Sequence, residues 1–337
     1  MLDLITQQAG KISQALHILV SPSSIFGLPQ LSVAAVIAIG FLLVRQRRRR
    51  GRVRIAALAR ALRQSRRILV CPSTRADLFC YLLNTFAISG LIGWGLVSGN
   101  LFAGAVTRLL HMTGFAPAPS QAPGWLLRGG LTICVFTAYE FGYYLDHYLK
   151  HKIPFLWEFH KTHHSAEVLT PLTVFRVHPV DTLIFVNIIT GCMAASYSVF
   201  AYATGQKVSL YTLDGANVIS VAGFFILSQL QHSQFWIPFR GWAGRLLLSP
   251  AHHQIHHSND SRHFDRNLGS FLAVFDWLFG TLCIPEARAP GLRFGVEQAG
   301  NGPHRLSTLL ISPFVNALGT LRGVFAQFGK PRRLKAR

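Results

Sequence analysis

Apolar residues run through this chain in long unbroken blocks rather than alternating with polar ones. Four blocks, about Gly27–Val44, Leu78–Val97, Trp125–Tyr144 and Leu183–Tyr202, each approach the ~20 residues needed to cross ~30 Å of hydrocarbon as a helix. A weaker fifth, near Gly215–Leu230, is interrupted by Asn217, Ser220, Ser228 and Gln229, and reads either as a full crossing or as half of a tight hairpin. Ahead of the first block, Met1 to Val20 is amphipathic and has no basic start with a small-residue cleavage site. It is expected to lie on a membrane surface rather than to be removed as a leader. Pro117, Pro119, Pro123 and Gly124 make the stretch before the third block rich in turns. The pattern predicts an all-α, integral membrane helical bundle of about four to five transmembrane helices, and no internal repeat is visible.

Composition agrees. Only 14% of the 337 residues are charged and half are apolar, whereas a soluble domain carries about a quarter charged residues. The net charge of +20 would suit nucleic acid, but its placement excludes that partner. Eleven arginines fall between Arg45 and Arg67, directly after the first apolar block, which is how membrane proteins mark their cytoplasmic side. With five crossings and Arg45 inside, the outer segments hold only Lys11, Arg108 and Lys207, against 29 basic residues inside. The same layout puts every histidine-rich stretch on the inner face. The expected division is 1–75 for the amphipathic segment, first span and Arg-rich loop, 76–285 for a membrane catalytic domain, and 286–337 for a basic cytoplasmic tail. That tail has six basic and no acidic residues from Arg322 onward, which suits anionic lipid. Cys71, Cys80, Cys134, Cys192 and Cys283 are scattered and imply neither a disulfide framework nor a thiolate zinc site.

Twelve of the fifteen histidines fall in two stretches, 147–178 and 232–263. His147 and His151 are spaced i, i+4. His160 with His163 and His164, and His253 with His256 and His257, each put imidazoles on one helix face. Two such faces meeting would enclose two metal ions, at a depth just beyond the end of the third apolar block. Imidazole suits zinc, copper, iron and nickel alike, and the Glu-x-x-His pattern of soluble di-iron bundles is absent.

Plainer readings stand beside these. His178 precedes Pro179 and reads first as a helix cap, His252 neighbours a better-spaced partner, and His263 sits among Arg262, Asp265 and Arg266 in a loop. Glu140, seven residues before His147 and inside a span, is a functional candidate or a plain helix contact. Asp146 and Asp276 are candidates to orient imidazole N–H groups, and His178 to do so from outside the ligand set.

From Glu140 to Asp181 and from Gln231 to Pro285, the sequence resembles the fatty acid hydroxylase/sterol desaturase superfamily. The words that carry the resemblance are H-x3-H at 147–151, H-x2-H-H-S at 160–165, R-x-H-P at 176–179, Q-H-S at 231–233, H-x2-H-H-S at 253–258 and N-L-G at 267–269, with Asp276-Trp277-Leu278-Phe279-Gly280-Thr281. Many members have Asp in place of Glu140 and an aromatic near Leu145. The resemblance implies a non-haem di-iron centre in a cytoplasmic helical cap, which activates O2 to hydroxylate, desaturate or cleave a lipid such as a sterol or fatty acyl chain. It implies as ligands His147, His151, His160, His163, His164, His232, His253, His256 and His257. His232 stands alone in spacing, but it follows the fifth block at once and matches the family's lone-histidine word.

No nucleotide fingerprint, flavin signature or attached cytochrome domain is visible, so electrons are expected from an external NAD(P)H-linked donor, a ferredoxin or cytochrome b5 type with its reductase. The expected location is a multi-pass position in a bacterial inner membrane or the endoplasmic reticulum. A membrane-embedded zinc-dependent hydrolase is the alternative, separable by metal identity and O2 dependence. A metal transporter would want its ligands at mid-membrane depth.

Overall fold

The computed structural model describes residues 20–22, 28–51, 67–86, 89–296 and 302–328. All but the last residue of the amphipathic segment (1–19), much of the arginine run (52–66) and the end of the basic tail (329–337) lie outside the described residues. The described chain is predominantly helical, and its strand content is a two-residue hairpin, Thr212–Leu213 against Ala216–Asn217. Two helices are long and apolar enough to cross a membrane, over Leu28–Arg48 and Pro179–Thr204, and the apolar stretch Val218–Gln231 is shorter.

The second apolar block falls in the described helices Pro72–Phe86 and Ser89–Met112, with 87–88 between them outside the described residues, and Ser89–Met112 runs far past Val97 into what the sequence placed in an outer loop. Gly95 and Gly99 set how that helix packs. A Cβ on Gly95 would fall 1.9 Å from the Val186 side chain, and one on Gly99 2.5 Å from that of Thr190. The bare glycine face therefore lets Ser89–Met112 pack closely along Pro179–Thr204, continuing to Ser198, whose hydroxyl donates to the Ala103 carbonyl at 3.2 Å. The neighbouring Gly124–Lys152 helix runs the opposite way against Pro179–Thr204, with Gly130 meeting Phe200 at one end and Gly142 meeting Ile189 and Cys192 further along.

These directions give the bundle two ends. At one end the turns after Met112 and Thr204 meet: Ser120 N–H donates to the Thr204 carbonyl at 2.7 Å, and Gln206 Nε2 to the Ser120 carbonyl at 2.6 Å. Helix Leu28–Arg50 starts near this end, where Ser21 bonds Asp214, and descends with Ala34 and Ala38 packed on Leu230. His147 lies at the other end, ~35 Å along its helix from Gly124.

Prolines start the elements that carry the site. Ile153-Pro154 forces Ile153 to an extended conformation (φ −100°, ψ 110°), so Gly124–Lys152 stops and Pro154–His164 starts at once in a new direction. His178-Pro179 and Ser249-Pro250 begin Pro179–Thr204 and Pro250–His256 in the same way. The chain after 285, read from sequence as a tail, builds helices Leu306–Leu310 and Ser312–Phe328. These pack on Pro154–His164: Phe314 meets the Phe159 ring edge-on at 5.3 Å, and Thr162 Oγ1 donates to the Leu309 carbonyl. The expected boundary at 75/76 falls inside the helix Pro72–Phe86.

Candidate metal centre

Four short pieces of chain converge beyond the end of Gly124–Lys152. The last turn of that helix brings His147 and His151. Pro154–His164 brings His160, His163 and His164, the residue after Gln231 brings His232, and Pro250–His256 with its cap brings His253, His256 and His257. They form two groups. His147, His151, His160, His164 and His256 make one, and His163, His232, His253 and His257 the other, with the potential ligand atoms of each group within 4.8 Å of one another.

The second group tests whether a cation fits. His232 Nε2 lies 3.2 Å from Nε2 of His163, 3.2 Å from that of His257 and 2.9 Å from that of His253, and the last two are 3.1 Å apart. An imidazole nitrogen offers either one proton or one lone pair, so a hydrogen bond satisfies only one of the three contacts at His232. A cation satisfies all four nitrogens, because ligands ~2.0–2.1 Å from a tetrahedral ion stand about 3.3 Å from each other. In the first group Nε2 of all five histidines is buried without a hydrogen-bond partner. Orphaned buried acceptors are costly unless something pairs with them, and five converging on one point fit a metal. Burial, then neighbouring imidazoles, pushes His253, His256, His257 and His164 well below the ordinary histidine range. They are neutral at pH 7, the form that coordinates.

Hydrogen bonds at the far nitrogen aim several rings. His147 Nδ1–H donates to the Leu268 carbonyl at 2.8 Å and His256 Nδ1–H to the Arg266 carbonyl at 2.9 Å. His160 Nδ1 meets Asp181 Oδ2 at 2.9 Å, and His151 Nδ1 meets Asp265 Oδ1 at 3.3 Å. Each bond leaves Nε2 as the nitrogen that faces inward.

The acidic and histidine candidates outside the two groups have other partners. Asp146 touches no imidazole; it pairs with Lys150 at 2.6 Å, and Lys150 also pairs with Asp181, all three nearly sealed from solvent. Asp276 accepts from the backbone N–H groups of Leu268 (2.7 Å) and Gly269 (2.8 Å), so it acts on His147 only through the loop whose carbonyl that ring uses. Glu140 accepts from Phe271 N–H at 2.9 Å and Leu272 N–H at 2.7 Å, holding the same loop from inside the bundle. His178 caps its helix, accepting at Nδ1 from Val180 N–H and donating from Nε2 to the Leu310 carbonyl. His252 is likewise closed: Ser249 N–H donates to its Nδ1, and its Nε2–H donates to the Gly244 carbonyl. His263 stands in a short 3-10 turn outside both groups.

Sequence reasoning missed Asp181, Asp265 and Lys150. Asp181 sits in the first turn after Pro179, where an acid is ordinary helix-end chemistry, so nothing in the sequence marked it. It also missed the clamp at Arg176. This fully buried guanidinium pairs with Asp77 at 3.1 Å and donates to the Thr162 carbonyl, Ser165 Oγ and the Pro303 carbonyl. It thereby fastens the end of Pro154–His164 to both flanking segments. The N-L-G word has a structural reading too. Asn267, at φ +57°, joins the His252 and Cys283 carbonyls through its amide, and a Cβ on Gly269 would fall 2.6 Å from the Leu272 carbonyl oxygen.

The sequence profile of the family "Fatty acid hydroxylase" matches residues 132–281, a segment that contains all nine grouped histidines. Alkylglycerol monooxygenase of Xenopus tropicalis is 28% identical over 159 residues, covering 45% of this chain and 30% of the relative. The human protein of that name is 28% identical over 151 residues, covering 43% and 29%. A Delta(7)-sterol 5(6)-desaturase of Gibberella zeae is 28% identical over 167 residues, covering 48% and 44%. The chain thus spans less than half the length of these curated relatives, and no solved structure matches it. The profile match coincides with the two histidine groups and the loop that orients them, and on that ground residues 132–281 carry a fatty acid hydroxylase domain, similar to those of alkylglycerol monooxygenases and sterol desaturases.

Proposed function

We propose that this chain is a multi-pass, membrane-bound non-haem di-iron oxygenase that hydroxylates or desaturates a lipid, with its metal centre on the cytoplasmic side. The observation that carries the reading is the gathering of nine imidazoles, with no carboxylate among the described residues, into two adjoining groups. His147, His151, His160, His164 and His256 would hold one iron, and His163, His232, His253 and His257 the other. Bound there, the pair would supply O2 activation for oxidation of an unactivated C–H bond.

The chain's own residues hold and aim. The Leu268 and Arg266 carbonyls and the Asp181 and Asp265 carboxylates fix which nitrogen of His147, His256, His160 and His151 points inward. Carboxylate partners make His160 and His151 stronger donors than rings bonded to carbonyls. Lys150 offsets the buried negative charge that Asp181 and Asp146 introduce. Trp157 packs at a tilt against the rings of His151 and His164, 5.1 and 5.3 Å away between centroids, and helps fix their orientation.

Crossing by five segments is supported by three features. Apolar side chains such as Leu101, Leu109, Ile133 and Val199 are exposed along the bundle. The turns assigned outside pack on each other, and the ~35 Å from there to His147 matches a hydrocarbon thickness of ~30 Å. Electrons would come from a separate ferredoxin or cytochrome b5 type donor with its reductase.

The test is metal analysis and turnover on gently purified, iron-supplied protein in membranes. About two irons per chain are expected, one for each histidine group, with activity that requires O2 and an electron source. Full turnover under anaerobic conditions with zinc alone would overturn the reading.

A further inference from the structure

Helix Ser312–Phe328 lies beyond residues 132–281, which the family profile matches, and the metal chemistry makes no use of it. One side of it belongs to the protein: Ala317 is buried, and Phe314 packs on the rings of Phe159 and His178 at 5.3 and 5.1 Å. The opposite side is just as apolar, yet uncovered. Ile311, Val315 and Leu318 recur at the i, i+4, i+7 spacing of one helix face and are 61, 64 and 55% exposed. A surface helix ordinarily turns polar residues outward. An outward apolar stripe marks a contact with a protein or a membrane.

Two observations favour the membrane surface. The first is depth. His178 caps Pro179–Thr204, an apolar helix long enough to cross a bilayer. The same residue donates to the Leu310 carbonyl, and Phe314 packs on its ring. The start of Ser312–Phe328 therefore stands level with the mouth of that span, where headgroups lie.

The second is charge. Arg322 is exposed on the same face as the stripe, one turn past Leu318. No Asp or Glu occurs from Gln298 to Arg337, against seven Lys and Arg. An apolar stripe that runs into cations, with no acid nearby in sequence, is the make-up of a helix lying in an anionic bilayer surface. A second copy of the chain seated on this face would bring the same surplus of positive charge to it and be repelled.

We infer that the exposed face of Ser312–Phe328 is a membrane-surface anchor that takes acidic phospholipid. The anchor presupposes the membrane-bound reading above and adds to the spans an attachment that lies along the bilayer rather than across it. Ile311, Val315 and Leu318 enter the acyl-chain boundary, and Arg322 meets lipid phosphate. The inner face grips Phe159, next to His160, so the anchor ties the histidine-bearing helix Pro154–His164 to the headgroup layer.

The experiment uses the full chain, loaded with iron, in phosphatidylcholine vesicles with or without phosphatidylglycerol. The photo-crosslinker benzoylphenylalanine replaces Val315. Mass spectrometry should find phospholipid adducts at this position, at least threefold more in vesicles that contain phosphatidylglycerol, and high salt should abolish that preference. Leu318→Glu, a change at an exposed position, should cut the adducts at least threefold with iron content unchanged. Adducts to a second copy of the chain in place of lipid, a yield indifferent to phosphatidylglycerol, or undiminished adducts in Leu318→Glu each overturn the anchor. So does a chain that stays in the vesicles through an alkaline carbonate wash yet gives no lipid adduct. Protein that such a wash removes overturns the membrane-bound reading instead. The comparison between the two vesicle types needs only the replacement at Val315 and so does not depend on whether Leu318→Glu folds.

Discussion

Asp181 Oδ2 lies 2.9 Å from Nδ1 of His160, and the other oxygen of the same carboxylate pairs with Lys150. One buried acid therefore aims a ring of the first histidine group and neutralises a buried ammonium, which in turn holds Asp146. This separates two aspartates that look alike in sequence, since Asp181 contacts an imidazole and Asp146 does not.

Asp181→Asn should lower metal affinity by roughly 10–100-fold, the usual cost of losing a partner behind a ligating histidine. Asp146→Asn should destabilise the fold, by about 3–5 kcal/mol if Lys150 is left undercompensated, but should leave metal stoichiometry unchanged in the protein that inserts. Iron per chain, measured at matched membrane insertion, distinguishes them. Equal iron loss in both variants would show that the network acts only on stability.

His232 contacts three other imidazole nitrogens, while both nitrogens of His252 are engaged by Ser249 and Gly244. His232→Ala is accordingly expected to lose iron as severely as His163→Ala or His256→Ala, and His252→Ala to retain most of it. The opposite outcome for His232 and His252 would mean that the ninth ligand is wrongly assigned.

Accessibility tags test the two ends of the bundle. Tags at Arg50, at Ser258 and at the C-terminus should report the cytoplasm, and one near Ala118, in the turn that meets Thr204 and Gln206, the opposite side. Arg50 and Ser258 on different faces would break the shared topology.

Asn267→Ala should act on the site from a distance. It removes a side chain that bonds the His252 carbonyl at 3.0 Å and accepts from Cys283 N–H at 2.7 Å. Each buried group left unpaired costs about 1–3 kcal/mol. Urea melts of the membrane-extracted protein should show the loss, and the Leu268 carbonyl would then hold His147 less firmly, so iron content should fall with it. A variant as stable as the parent would show that the loop is held by Asp276 and Glu140 alone.

The histidine words were legible because ligand spacing is local. H-x3-H and H-x2-H-H put rings on one face of any helix, whatever the helix packs against. The long apolar blocks were legible for a similar reason, since solubility in lipid is a property of each segment by itself. The extension of Ser89–Met112 past Val97 was not, because Ser98, Gly99 and Asn100 interrupt the apolar pattern there. Only the close approach of Gly95 and Gly99 to Val186 and Thr190 shows what that helix packs against.

The sequence by itself therefore determined the helical class, the nine grouped histidines and the resemblance to the fatty acid hydroxylase family. Tertiary structure decided how those nine divide into five and four, because membership depends on where Ile153-Pro154 and the Arg176 clamp turn one helix against another. It also decided which acids serve the site. A carboxylate's role is set by the atom it faces across the fold, and Asp181 and Asp265 reach His160 and His151 from 21 and 114 residues away. The segment after 285 changed most: its basic composition is a property of the chain, but the packing of Ser312–Phe328 on Pro154–His164 comes from apolar side chains that have a partner only once the histidine-bearing helix is in place.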